Sequence, residues 1–380
     1  MNAPLLQTPL GAGRLLARPG DRRQWLLDAR AAVLWDLHAL GLGAMALAEL
    51  LTARFGLAPA TAHAQVANLL AAWHQAGLLG LAAVPPDCRT AAEVPPPARL
   101  TPLPGGAWRH WVADRAVGLG CTEAAFAPTL EAWFGPRAAA AGTGPVAHRL
   151  HLHGPPDAWR LTREGATLAT GSGPDAALVA TLQALTALGC TPARLLVLHG
   201  AGLRAPDGRG LLLVAPGGAG KSTLAAALDA AGFGLLSDDV VPVNLDGELL
   251  GLGLPLCLKA GSWPVLRPCR PDLASCPTMQ RGTLPVRYLP PCTPVPVRPV
   301  TPAWLLLIRY TPGHPPQCRP VSPEQALQGL LSAEAVVRDL TQAKLEAVAA
   351  WVMRLPSYQL SYPDLDSALR LIAHLPATPP

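Results

Sequence analysis

Several features are scarce or missing in this sequence of 380 residues. No uninterrupted apolar run is long enough to span a membrane. No basic run accompanies the modest net charge of +5, so nothing supports non-specific nucleic-acid binding. No segment of signal-peptide type opens the chain. We therefore expect a cytoplasmic protein whose partners are neither membranes nor nucleic acids.

The cysteines form no Cys-x-x-Cys pair. The eight of them are scattered at positions 88, 121, 190, 257, 269, 276, 292 and 318. This pattern favours reduced thiols over a disulfide framework. Cys269, Cys276 and His314 are the nearest approach to a zinc-binding set, but their spacing fits no common zinc site. We assign no metal to them.

The composition predicts a globular protein with more than one domain. Half of the residues are hydrophobic, and the length is sufficient for two or three domains with cores of their own. Seven of the 43 prolines fall in residues 84–104, which contain Pro85-Pro86 and Pro95-Pro96-Pro97. Such a stretch is typical of a semi-rigid linker. It separates a first domain, residues 1–83, from the rest.

The first domain has the pattern of a small winged-helix unit. Residues 1–22 are compatible with short strands or a flexible arm, and Asp28 is a candidate cap for a first helix that ends before Gly41. Two further helices are predicted, at Ala44–Phe55 and at Pro59–Gln75. Dimerisation and DNA binding are two uses of such a domain, although the low basic charge argues against DNA.

Strands and helices alternate in the remainder, with residues 105–193 forming one α/β part and residues 194–380 another. The alternation predicts a βαβ core. The predicted elements include a small sheet formed by Arg149–His153 and Trp159–Ala169. They also include helices Thr122–Phe134 and Ala333–Leu355, and strands Arg194–His199, Leu211–Val214, Leu235–Asp239 and Ala303–Ile308.

A phosphate-binding loop is the most specific motif in the chain. It follows the predicted apolar strand Leu211–Val214 and precedes the start of a helix. It consists of Ala215, Pro216, Gly217, Gly218, Ala219, Gly220, Lys221, Ser222 and Thr223. Glycines allow successive backbone N–H groups to turn towards phosphate oxygens, and the following helix directs its N-terminal dipole at the same charge. Lys221 would reach the β- and γ-phosphates, and Ser222 would ligate Mg²⁺. The alternative is a Gly-rich connecting turn.

A pair of carboxylates follows the next apolar strand. Asp238 and Asp239 stand where phosphate-binding-loop proteins place an acidic residue beside Mg²⁺ and the γ-phosphate. One could hold the metal and the other accept a proton from an attacking hydroxyl. Neighbours on an extended strand point to opposite faces, so a turn must bring the second one in. His199 is a candidate to orient one aspartate. The alternatives are two solvated aspartates and a structural histidine.

Together these residues resemble the catalytic domain of HPr kinase/phosphorylase, a bacterial serine kinase. The resemblance rests on His199-Gly200, on Gly220-Lys221-Ser222, and on Gly232 followed by Ser237-Asp238-Asp239. It is specific over residues 195–245 and loose over 105–375. It implies an α/β fold with a P-loop kinase core of HPr-kinase/PEP-carboxykinase type, preceded by the winged-helix domain. It also implies ATP and Mg²⁺ as cofactors, Asp238 as the base, Asp239 and Ser222 at the metal, and Lys221 at the phosphates.

One part of the family pattern is missing. The downstream Glu-x-Arg-Gly-Leu-Gly signature, which supplies a further metal ligand in the family, is absent from residues 251–262. Thr223 also replaces an acidic residue that often follows the loop serine. Neither phosphorylase activity nor HPr as the substrate therefore follows from the resemblance.

The first domain resembles the PqqD family of small winged-helix proteins, which hold the leader segment of peptides being modified. The similarity rests on Ala31-Ala32-Val33-Leu34-Trp35, on the helix end Leu50–Phe55, and on Leu69-Leu70 leading to Gly77-Leu78-Leu79. It implies peptide binding by addition of a strand to a sheet edge.

The combination predicts an ATP-dependent serine kinase. Its expected acceptor is a Ser or Thr hydroxyl on a peptide or small protein, such as a ribosomal peptide precursor, and a homo-oligomer is compatible with the kinase resemblance. Two alternatives stay open: a nucleotide-gated peptide-binding module without phosphotransfer, and a small-molecule kinase with the same core.

Overall fold

The computed structural model describes residues 4–21, 23–79, 107–138, 145–292 and 298–376, and it is a mixed α/β structure. Its contacts divide the chain into two compact units. The first comprises Met1–Ala91, Ser322–Gln328 and Asp339–Arg354, and the second comprises Ala92–Val321, Gly329–Arg338 and Leu355–Pro380. The predicted linker, residues 84–104, lies outside the described residues.

The first unit begins with a three-stranded antiparallel sheet followed by three helices. The strands are β1 (Leu6–Leu10), β2 (Gly13–Ala17) and β3 (Gln24–Leu27), in that order across the sheet. The helices are α1 (Ala29–Ala39), α2 (Ala44–Phe55) and α3 (Pro59–Gln75). The predicted helices are confirmed, and the first 27 residues supply the strands.

Local capping explains why these helix bounds follow from sequence. The Asp28 carboxylate accepts the backbone N–H of Ala31 at 2.8 Å, which satisfies a donor at the start of α1. Gly56 ends α2 in the left-handed conformation, and Pro59 occupies the first turn of α3. The apolar faces meet in one core, where the Trp35 and Trp73 rings pack edge to face with centroids 5.1 Å apart.

The second unit begins with a five-stranded sheet packed on two helices. In chain order these elements are β4 (Ala107–Val112), β5 (Arg115–Cys121), α4 (Ala127–Ala138), β6 (His148–His153), β7 (Trp159–Arg163), β8 (Ala166–Gly171) and α5 (Pro174–Gly189). The strands lie in sequential order across the sheet. The predicted small sheet of Arg149–His153 and Trp159–Ala169 is confirmed as β6, β7 and β8, with a turn at Glu164 and Gly165, both of which have positive φ. The predicted helix Thr122–Phe134 begins five residues late, at Ala127.

The segment around the phosphate-binding loop follows. It contains β9 (Leu196–Leu198), β10 (Gly200–Arg204), β11 (Gly210–Val214), α6 (Lys221–Ala230), β12 (Gly234–Ser237) and β13 (Val241–Val243). The predicted strand Arg194–His199 is confirmed only as the short β9, which pairs with β13, and the chain then continues into β10. Asp238 and Asp239 follow β12 and are not part of it.

The rest of the unit adds a second small sheet and completes the main one. Its elements are β14 (Leu256–Lys259), α7 (Trp263–Leu266), β15 (Met279–Arg281), β16 (Leu284–Leu289), β17 (Pro302–Tyr310), β18 (Gln317–Pro320), α8 (Pro323–Ser332), α9 (Gln342–Arg354), β19 (Ser357–Tyr362) and α10 (Leu365–Ala373). Of these, α9 and the first residues of α8 group with the first unit. The small sheet has the order β14-β16-β15.

The main sheet brings the carboxyl ends of four strands to one edge. Its order is β12-β10-β11-β17-β19-β18. β11, β17 and β19 are mutually parallel, and β10 is antiparallel to both β11 and β12. The carboxyl ends of β12, β11, β17 and β19 therefore meet the start of β10 at one edge. Ligands of α/β proteins bind at such an edge, outside the carboxyl ends of the strands.

The predicted helix Ala333–Leu355 is wrong in its first third. Glu334 and Asp339 have positive φ, and Val336 pairs with Val197 of β9, so the chain cannot be helical before Gln342. The helix that does form, α9, packs on β1 in the first unit. Gln342 donates to the carbonyl of Gln7 at 2.7 Å, which ties two segments 335 positions apart.

Candidate functional site

The phosphate-binding loop has the strand–loop–helix order that the sequence predicts. β11 ends at Val214, and α6 begins at Lys221 with Gly220 as its cap. Gly218 and Gly220 have φ of +82° and +92°. A side chain at either position would be strained in this left-handed region. The two glycines therefore allow a turn of the type that anion-binding loops use.

Lys221 lies across the loop that precedes it. Its Nζ donates to the carbonyl oxygens of Ala215 at 2.7 Å and Pro216 at 3.2 Å. The side chain is buried, and this burial lowers the pKa of Lys221 from its usual value. The ammonium group is thus held inside the loop by neutral acceptors, from which a phosphate oxygen could draw it.

Ser222 connects the loop to the carboxylate pair. Its hydroxyl donates to Oδ1 of Asp238 at 3.0 Å. The other oxygen, Oδ2, is buried and has no hydrogen-bond partner among the described residues. Burial, followed by the charge of Asp239, raises the pKa of Asp238 to about 6. A buried carboxylate oxygen without a partner is costly, and a bound cation would relieve that cost.

Asp239 turns away from this contact and towards a different set of partners. It has φ of +70°, which is uncommon for a residue with a side chain. Its Oδ1 lies 3.3 Å from Nδ1 of His199, and its Oδ2 accepts from Nη2 of Arg281 at 3.1 Å. The turn that the sequence requires at the second aspartate is confirmed, and the predicted proximity of His199 to this pair is confirmed as well.

Sequence reasoning missed Arg281. It lies at the end of β15 in the small sheet, 42 positions from Asp239, and it also contacts Sγ of Cys257 at 3.6 Å. It belongs to no sequence motif, and it reaches Asp239 only because the small sheet packs near the end of β12. Ser262 was missed for the same reason, since its hydroxyl lies 2.7 Å from that of Thr223 in the loop helix.

These side chains line one open cleft with a volume of about 1600 Å³. The loop, the carboxylates, His199 and Arg281 are among its lining residues, as are Tyr310, Tyr362 and the start of α10. In the main sheet the aspartates follow β12 on one side of β11, whereas the two tyrosines end β17 and β19 on the other side. The carboxylates and the tyrosines therefore form opposite ends of the cleft, with the loop between them. The cleft is therefore large enough for a nucleotide together with part of a second substrate.

The residues present fit Mg²⁺ better than zinc. Among the described residues, no group of three or more His, Cys, Asp or Glu side chains is placed to hold a metal ion, and this includes Cys269, Cys276 and His314. Mg²⁺ in phosphotransfer sites needs only one or two carboxylates, because water and phosphate oxygens complete its shell. Ser222 and the unpartnered Oδ2 of Asp238 supply such a minimal set.

The comparisons with known proteins give no family. No model of a protein family matches the chain, and no curated protein matches it. Among the described residues no helix is both long enough and apolar enough to cross a membrane.

Proposed function

We propose that this protein is an ATP- and Mg²⁺-dependent kinase that transfers the γ-phosphate to a Ser or Thr hydroxyl of a peptide or small protein. The observation that carries the proposal is the contact between Ser222 of the loop helix and Asp238 after β12. It joins a phosphate-binding loop to a carboxylate pair at one sheet edge, which is the arrangement that phosphoryl transfer requires.

The loop side of the cleft would hold the phosphates. The loop amides and Lys221 would bind the β- and γ-phosphates, with Nζ exchanging its carbonyl acceptors for phosphate oxygens. Ser222 and Asp238 would hold Mg²⁺, which, when bound, offsets charge on the phosphate oxygens. This assignment places Asp238 at the metal, whereas the kinase resemblance predicts Asp239 there. The geometry favours Asp238 because it is the aspartate that contacts Ser222.

The other side would activate the acceptor. Asp239 would accept the proton of the attacking hydroxyl while the new O–P bond forms and the bond from the γ-phosphorus to ADP breaks. His199 and Arg281 hold the two carboxylate oxygens of Asp239 and would fix their direction. Arg281 is also a cation at the open end of the cleft, where charge on the transferring group develops.

The first unit would deliver the acceptor. Its sheet has β3 as one edge strand, and an extended peptide can add to such an edge through backbone hydrogen bonds. This three-stranded sheet is followed by α1–α3. Such an arrangement is compatible with the PqqD-like winged-helix unit that the sequence predicts. We therefore propose a peptide, such as a ribosomal peptide precursor, as the partner of this kinase.

A second candidate has one observation in its favour. The segment that corresponds to the missing Glu signature includes Cys257, whose thiol lies beside Arg281 where a further carboxylate ligand would be expected. A site with fewer acidic ligands would suit a nucleotide-gated binding module that does not transfer phosphate. A small-molecule kinase with the same cleft is the remaining alternative.

The test is turnover of γ-labelled ATP with Mg²⁺, with and without candidate peptides encoded beside the gene. We expect label on a peptide hydroxyl, lost in Asp239→Asn and retained in Asp207→Asn, an exposed carboxylate outside the cleft. Tight ATP binding without turnover under every peptide would favour the binding module. Transfer to a small molecule by a protein with a disrupted β3 edge would favour the third candidate.

A further inference from the structure

The end of the cleft opposite the carboxylates has no role in the chemistry proposed above. In the main sheet, β12 and its aspartates lie on one side of β11, and β17 and β19 lie on the other. A triphosphate whose γ-phosphate points to the aspartates must therefore extend its remaining part towards β17 and β19. Those strands end in Tyr310 and Tyr362, which are partners in the parallel register.

Tyr362 fills the floor of this region beside the loop. It is buried, and its hydroxyl would lie 3.5 Å from a Cβ placed on Gly220. Burial raises the pKa of Tyr362 to about 12, so the ring stays neutral and does not repel phosphate. Tyr362 therefore packs against the loop and exposes no ring face to a ligand.

Tyr310 is different because its ring is supported and still open. The ring centroid lies 6.0 Å from that of Tyr362, at an interplanar angle of 55°. The residue nevertheless remains 56% exposed, and it lines the same cleft one ring beyond the loop. Exposed aromatic side chains that are braced from behind are the surfaces on which nucleobases stack.

We propose that Tyr310 is the nucleobase platform of this site and that the bound nucleotide is a purine nucleoside triphosphate. The inference rests on the proposed nucleotide binding at the loop. The positions of the two rings match the order of parts in the ligand, with the phosphates at the loop, the base on the exposed ring of Tyr310 and the ribose between them. A purine covers more of the ring than a pyrimidine does, so stacking favours ATP and GTP over UTP.

The experiment compares a nucleotide with a ligand that has only its phosphates. Calorimetric titrations of the full-length chain with Mg²⁺ would use ATP, GTP, UTP and inorganic tripolyphosphate. We expect Tyr310→Ala to weaken ATP roughly tenfold, to leave tripolyphosphate unchanged and to narrow the difference between ATP and UTP. Tyr310→Phe keeps the ring and should bind ATP as the parent does.

Leu284→Ala is the matched control. Leu284 is a similarly exposed apolar residue at 50%, and it lines the same cleft as the strand partner of Arg281, at the carboxylate end, so its truncation should leave ATP affinity unchanged. Unaltered ATP binding by Tyr310→Ala, or an equal loss of ATP and tripolyphosphate, would overturn the platform while leaving the loop intact as an anion site. Failure of the parent protein to bind either ligand would overturn the nucleotide function itself, and the platform with it.

Discussion

The hydroxyl of Ser222 donates to Oδ1 of Asp238 across 3.0 Å, although the two residues are 16 positions apart. One residue lies in the first turn of α6, and the other follows β12. The contact is possible because β11 and β12 run in the same direction and end at the same sheet edge. It joins two separate sequence motifs, the glycine-rich loop and the carboxylate pair, in one site.

The two aspartates should have separable effects. Asp238→Asn removes the carboxylate beside Ser222, so the Mg²⁺ concentration needed for half-maximal turnover should rise by about tenfold or more. Asp239→Asn removes the proposed proton acceptor, so turnover should fall by about a hundredfold or more while Mg²⁺-ATP binding is kept. Titrations of Mg²⁺ in a turnover assay, with calorimetry for ATP, measure both quantities.

Exchanged effects of the two substitutions would contradict this assignment of the aspartates. Loss of transfer with normal Mg²⁺ dependence in Asp238→Asn, together with a Mg²⁺ defect in Asp239→Asn, would restore the roles implied by the kinase resemblance. It would show that the contact with Ser222 is exchanged when the metal binds.

Lys221 is the second test of the loop. Lys221→Ala leaves the loop amides in place but removes the ammonium that Ala215 and Pro216 now hold. We expect turnover to fall by at least about a hundredfold, because the variant loses the ammonium that would stabilise charge on the γ-phosphate. Lys344→Ala, on α9 and outside the cleft, is the control lysine. Equal turnover in the two variants would refute a nucleotide role for the loop.

Arg281 tests whether the small sheet contributes to the chemistry. Arg281→Ala frees Oδ2 of Asp239 and removes a cation from the cleft, so turnover should drop by about tenfold or more with little change in ATP affinity. Arg281→Lys keeps the charge and should recover part of the rate. A variant whose ATP affinity and rate fall together would indicate a loss of structure instead, and circular dichroism would detect it.

A buried ion pair between Asp229 of the loop helix α6 and Arg270 should stabilise the fold. Arg270 and Asp229 are 2% and 0% exposed, their charged groups meet at 2.7 Å, and Asp229 also accepts the N–H of Cys292. Arg270→Ala leaves the Asp229 charge in the core, so the free energy of unfolding should fall by about 3–5 kcal/mol. Urea denaturation measures this change.

The exposed pair Arg209–Asp207 provides the comparison. Its side chains are 33% and 48% exposed, so Asp207→Asn should change the free energy of unfolding by less than about 1 kcal/mol. Similar losses for Arg270→Ala and Asp207→Asn would mean that burial of the first pair does not have the expected effect.

Asp114 gives a prediction for acid pH. Burial acts to raise its pKa, but the hydrogen bonds and charge of Arg194 outweigh burial and hold the pKa of Asp114 below its usual range. A depressed pKa stabilises the fold above the unfolded value of about 3.9, and this stabilisation is lost as the pH falls through the folded value. Asp114→Asn should therefore show a smaller loss of stability below about pH 4 than the parent. Parallel urea midpoints between pH 5 and pH 3 for the two proteins would contradict the assignment.

Prediction from sequence succeeds where residues a few positions away determine the local conformation. The bounds of α2 and α3 are determined by Gly56 and Pro59, and the bend of the loop by Gly218 and Gly220. The loop strand is also short, apolar and buried, so its pattern is unambiguous. These elements need no knowledge of the rest of the fold.

Prediction fails where distant segments decide the local conformation. Residues 333–341 have helical composition, but Val336 pairs with Val197 and holds the chain extended. Arg281 reaches Asp239 only because two sheets meet. The identity of the aspartate beside Ser222 was likewise undecided by sequence, since it depends on the positive φ of Asp239.

The docking of α9 on β1 has a consequence for how this protein is made. β1 leaves the ribosome long before α9, because the helix that packs on it ends at Arg354 and follows nearly all of the second unit. The core of α1–α3 can assemble early, because it does not require α9. The β1 surface can be covered only after α9 has been translated. A chain truncated before Gln342, or one that starts after residue 90, would expose one half of this packing, so the role of the first unit is better tested by substitutions at the β3 edge than by its removal.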